Sequence, residues 1–171
     1  MNEVIAFLEK IGLQMVRVER LEGNFLEGVK IVNGAVHYQD NAAISNLLHE
    51  AGHLAIIPEN IRHMADGNLD DCFESMFDKI AHVDPEHEIT KALLQCSDTE
   101  ATAWAWAAGK HLGIREETII RDVDYDGEGE SIRLMLSEGH YFGINGLAAS
   151  GMSSTRTFPA MRIWAQPVIQ F

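Results

Sequence analysis

Residues 28–57 pass without a break from the pattern of a hairpin into that of a helix, and this junction restricts the fold more than any other stretch. In "GVKIVNGAVHY" two β-rich runs flank Asn33-Gly34, a dipeptide suited to a type I′ turn because both of its central positions require positive φ. "ISNLLHEAGHLAII" follows with helical periodicity over 44–57 and stops at Pro58, which has no N–H for the helical ladder.

Other elements are read by the same rules. Residues 3–10 form a short helix closed by Gly12 at the C′ position, and "LQMVRVE" alternates as a strand. Further helices are predicted over 69–81, 86–94, 98–112 and 131–138, the third closed by Gly113. The stretch "RDVDYDGEGES" reads as an acidic loop, "GHYFGINGLAASGM" as a glycine-rich segment, and "AMRIWAQPVIQF" as an extended end. Early antiparallel strands followed by helices make the class α+β, and 171 residues are expected to form a single domain, 1–171.

Composition narrows the partners. A formal charge of −13 argues against nucleic acid, whose phosphates need a basic footprint. No apolar run reaches the ~20 residues that span a bilayer, and "MNEVIAFLEKIGL" lacks a signal-peptide pattern. A cytoplasmic location is therefore expected, with no membrane partner and with Cys72 and Cys96 as reduced thiols. No oligomeric state follows.

On a helical wheel, with His49 at zero, His53 falls about 40° away and Glu50 about 100°. Ile44, Leu47, Ala51, Leu54 and Ala55 gather on the opposite side. Two imidazoles one turn apart can reach one ion at about 2.0–2.1 Å. Glu50, swung to the side, is placed to hold a water rather than the metal; this is the mechanical meaning of H-E-x-x-H. Ala51 and Gly52 are small enough to let another element approach closely.

A catalytic zinc ion commonly takes three protein ligands. The favoured third is Glu100 in "CSDTEATAWAWAAGKHLGI", 47 residues beyond His53, on a helix kept slim by Ala101, Ala103, Ala105, Ala107 and Ala108. Ser97-Asp98-Thr99-Glu100 is equally a capping box, with Glu100 returning to the Ser97 amide. Asp98, His82 and His87 remain open as ligands, whereas His111 lies three turns further along the helix and suits its C-terminal dipole.

"LLHEAGHLA" followed by "TEATAWAWA" resembles the gluzincin branch of zinc metallopeptidases, in particular the small bacterial intracellular ImmA/IrrE-like kind. The matching positions are His49, Glu50 and His53, then Glu100 and Ala103, within residues 28–112. The resemblance implies a zincin-like core: a short antiparallel sheet with its hairpin over the active-site helix, and a helix-rich C-terminal part. It implies zinc on His49, His53 and Glu100, Glu50 as general base, and a peptide or protein substrate. The chain departs from that family at Trp104, where gluzincins often carry an acid. That departure supports an alternative, a zincin-like metal-binding regulatory or interaction module with little turnover.

The expected hydrolysis needs a donor for the oxyanion beyond the metal, and "EGHYFG" offers His140 and Tyr141, with His140 the catalytic candidate. Other features attract weaker assignments. Asp122, Asp124, Asp126 and Gly127 imitate the start of an EF-hand, but Arg133 stands where the bidentate glutamate belongs. Cys72, His82, His87 and Cys96 have no zinc-knuckle spacing. Trp104, Trp106 and Trp164 read as core or interface anchors, and His37 and His63 take no role.

Overall fold

Asn33 and Gly34 stand at φ +47° and +79° in the computed structural model, which describes residues 1–23 and 26–171, with Asp70 described by its backbone alone. Those are the two left-handed positions a type I′ turn demands. On either side of the turn, β2 (Val29–Val32) and β3 (Ala35–Tyr38) pair antiparallel, with Val32 opposite Ala35. Glycine is needed at the turn for space as well, since a Cβ on Gly34 would lie 2.6 Å from the Arg62 carbonyl oxygen.

β1 (Gln14–Arg17) lies on the other side of β3, in the order β1-β3-β2. It pairs with β3 in parallel, Gln14 opposite Ala35. The sheet is therefore mixed, which corrects the expectation of a wholly antiparallel one. β3 takes the centre between its hairpin partner and β1, which leaves β1 and β2 at opposite edges.

Among the described residues the helices are α1 (Asn2–Lys10), α2 (Ile44–Ile56), α3 (Leu69–Lys79), α4 (Glu88–Leu93), α5 (Asp98–His111), α6 (Glu116–Ile119), α7 (Gly129–Ser137) and α8 (Gly143–Ala149). The class is α+β. α6 and α8, one to two turns each, carry too little periodicity to be read from sequence. α1 ends as expected: Gly12 takes φ +91°, its N–H donates to the Glu9 carbonyl, and the Leu13 N–H donates to that of Leu8. That pair of bonds is a Schellman closure.

α2 is the central element, packed between β2 and β3 on one side and α5 on the other. Its Leu47, Leu48, Leu54 and Ile56 are fully buried, as are Trp104 and Trp106 of α5. α5 is covered in turn by α8. The two central helices approach so closely at Gly52 that a Cβ there would stand 2.8 Å from the Ala101 carbonyl oxygen. A glycine facing an alanine sets that spacing.

The exit of α2 is tied down by a buried cation. Arg62 donates from Nε and Nη2 to the Ile57 carbonyl, from Nη2 to that of Gln166 at 3.1 Å, and from Nη1 to that of Gly12. The Gln166 N–H donates to the Ala55 carbonyl at 2.8 Å, so the extended C-terminal segment is stitched to the same helix end. Burial lowers the Arg62 pKa from its ordinary value. Arg62→Met strands those carbonyls and is expected to destabilise the fold by about 2–4 kcal/mol in urea denaturation. A change under about 1 kcal/mol would mean that the guanidinium's own desolvation cancels the bonds it makes.

Candidate metal centre

α2 sets His49 and His53 one turn apart, with their Nε2 atoms 3.2 Å from each other and their rings nearly perpendicular at 85°. Asp98, the first residue of α5, brings Oδ1 to 3.2 Å from His53 Nε2 and 3.5 Å from His49 Nε2. Three potential ligand atoms thus form a triangle with sides of 3.2, 3.2 and 3.5 Å. A tetrahedral ion with bonds of about 2.0–2.1 Å needs ligands about 3.3–3.4 Å apart. The triangle fits that requirement on every side.

The surroundings orient the rings. Cys96 offers only a carbonyl oxygen to His53 Nδ1, at 3.1 Å, so Nδ1 carries the proton and Nε2 presents a lone pair. A lone pair facing a carboxylate oxygen is repulsive unless a proton or a metal ion stands between them. On His49, Nδ1 lies 3.5 Å from Thr102 Oγ1, which is itself 3.1 Å from the Tyr125 hydroxyl. Each imidazole therefore has an outer partner on the nitrogen turned away from the triangle, the usual support of a metal-binding histidine.

Electrostatics agree with the geometry. Burial lowers the His49 pKa, keeping that ring neutral and its lone pair available. The two adjoining imidazoles hold the Asp98 carboxyl well below the usual carboxylate range, although 85% of that side chain is exposed.

Glu50 lines the same cleft. Burial raises its pKa, with the Asp98 charge adding to the effect and His53 opposing it. Among the described residues its carboxylate makes no hydrogen bond, which leaves it for a molecule in the cleft.

Of the sequence-predicted ligands, His49 and His53 come together and Glu100 does not join them. The carboxylate beside the imidazoles is that of Asp98. Two residues along a helix are about 200° apart around its axis, so Asp98 and Glu100 occupy opposite faces of α5 and only one can face α2. Side chains in a first turn also lean past the helix N-terminus, which carries Asp98 toward the histidines. Glu100 is turned the other way, 3% exposed, against Gly146 of α8. The capping box is not formed either: Ser97 is the N-cap, but its hydroxyl donates to the Glu100 carboxylate and caps no amide.

His140 is exposed and does not line the cleft; its neighbour Tyr141 does. Tyr141 shares the Thr102 hydroxyl with Tyr125, and burial raises the pKa of both phenols, that of Tyr125 to about 12. Tyr125 was hidden in the acidic loop. There Asp122 pairs with Arg133 at 3.0 Å and Asp124 with Arg121 at 2.6 Å, and the tyrosine that follows them lines the cleft.

The remaining candidates have local partners elsewhere. His87 Nδ1 accepts from the Ile89 N–H as the cap of α4, Cys72 Sγ donates to the Asp66 carbonyl, and Cys96 Sγ donates to that of Ala92. His111 packs against the rings of Phe7 and Trp164 rather than serving only the α5 dipole.

The cleft has a volume of about 630 Å³. Leu69 and Phe73 give it an apolar wall, and Thr102, Tyr125 and Tyr141 a hydroxyl-bearing one. No protein-family model, curated protein or solved structure matches the chain. Among the described residues no helix is long and apolar enough to cross a membrane.

Proposed function

We propose that the protein is a zinc-dependent metallopeptidase of zincin-like type, with His49, His53 and Asp98 as ligands and Glu50 as general base. The observation that carries this reading is the convergence of two Nε2 atoms and one carboxylate oxygen at the spacing of a tetrahedral ion, with the half-buried Glu50 next to His49 in the same cleft.

Zinc, when bound, supplies a Lewis acid for the substrate carbonyl and lowers the pKa of water to near neutrality. The protein's own groups do the rest. Glu50 takes the proton of the attacking water and delivers it to the leaving amine, a task helped by the rise in its pKa that burial causes. Tyr141 and Tyr125, kept protonated by burial, act as hydroxyl donors toward the developing oxyanion, the role expected of His140. Leu69 and Phe73, which also line the cleft, exclude water from a bound peptide or protein segment.

The test combines zinc titration with cleavage of a proteome-derived peptide library. Wild type is expected to bind one ion per chain and to cleave peptides, with cleavage lost to a chelator and restored by zinc. Asp98→Asn is expected to weaken zinc by at least about 10-fold. Stoichiometric zinc without any cleavage would replace the peptidase with a metal-binding regulatory module. No zinc bound to wild type would remove both readings.

A further inference from the structure

Glu100 is the buried acid that the proposed chemistry leaves unused, and its partners give it a task. One carboxylate oxygen, Oε2, accepts from the Thr99 hydroxyl at 3.0 Å and from the Ser97 hydroxyl, and these two hydroxyls lie 2.9 Å from each other. Ser97 and Thr99 are the residues on either side of Asp98. The other oxygen, Oε1, is held against α8, where a Cβ on Gly146 would come within 2.2 Å of it. Gly143, one turn earlier, lets α8 lie on the Thr99 carbonyl; a Cβ there would stand 1.9 Å away. The carboxylate thus joins both neighbours of Asp98 to each other and presses the first turn of α5 onto α8.

We infer that Glu100 is a positioning residue for the metal centre: it clamps the backbone around Asp98 and thereby aims that carboxylate at His49 and His53. The inference rests on the metal reading above. Asp98 needs such help because its side chain is 85% exposed and touches the imidazoles at its tip, so without metal its direction depends on the turn that carries it. The Ser97 hydroxyl, which an ordinary N-cap would turn onto a helix amide, is committed to the clamp instead.

Zinc affinity by competition with a chromophoric chelator, together with the visible spectrum of the cobalt-loaded protein, tests this on wild type, D98N, E100Q, E100A and S97A. A glutamine oxygen still accepts from both hydroxyls, so E100Q should stay within about 3-fold of wild type, whereas E100A and S97A should show the loss of about 10–100-fold that follows removal of outer support. The cobalt spectrum should change in D98N and be preserved in E100Q. E100Q binding as weakly as D98N, with an altered spectrum, would overturn the inference and make Glu100 a ligand. E100A and S97A at wild-type affinity would show that the clamp does nothing. If E100A fails to fold by circular dichroism, S97A and E100Q still decide the matter. Failure of the metal reading itself would appear separately, as absence of zinc from wild type.

Discussion

Glu50→Gln is expected to lower peptide hydrolysis by about 10²–10⁴-fold, the usual contribution of a positioned general base, while zinc affinity stays within a small factor of wild type. The split follows from where Glu50 stands. It is not one of the three groups that converge, so its loss leaves the ligand set intact. Glutamine has the same shape and keeps the cleft packed, but it cannot accept and return a proton. The measurement is kcat at saturating peptide with zinc content determined on the same sample. Activity within about 3-fold of wild type would remove Glu50 from the base role. Loss of activity together with loss of zinc would instead make it a structural support of the centre.

Much of this centre was legible because one helix carries most of it. The i, i+4 spacing of His49 and His53 is enforced by helical geometry, whatever the rest of the fold does. Asn33-Gly34 was equally readable, since few other dipeptides accept two positive φ values. The small residues Gly52 and Ala101 announced a close helix pair, and the structure has one. What sequence did not disclose depends on rotation and on distant pairing. Asp98 and Glu100 differ by two positions, and which of them faces α2 depends on how α5 is turned by α8. Gly143 and Gly146, which allow that turn, look in sequence like loop glycines. Tyr125 reaches the cleft from a loop in which the preceding Asp122 and Asp124 are engaged by Arg133 and Arg121, and no local periodicity records such a loop. The parallel placement of β1 is also non-local, a matter of which edge of β3 remained open.

The α2–α5 spacing makes a second large effect, with a sign opposite to ordinary helix propensity. Replacing glycine by alanine inside a helix normally stabilises by about 1 kcal/mol. Gly52→Ala is expected to destabilise by about 1–3 kcal/mol instead, the usual cost of overpacking. Its Cβ would meet the Ala101 carbonyl oxygen at 2.8 Å and the Ala101 Cα at 3.1 Å. Those are backbone atoms of a buried helix and cannot rotate away, so α2 and α5 must separate. Because two of the candidate ligands ride on α2 and one on α5, separation opens the triangle, and zinc affinity should fall along with the melting temperature. Gly109→Ala is the matched control on α5. The atoms its Cβ would meet, at 2.4 Å, belong to the buried Ile119 side chain of α6 and not to α2. That variant should also lose stability by overpacking, yet keep wild-type zinc affinity. If Gly52→Ala melted at or above wild type with zinc binding unchanged, the helix contact would not be what sets the distance between Asp98 and the imidazoles. The clamp on α5 would then have to hold the centre's geometry by itself.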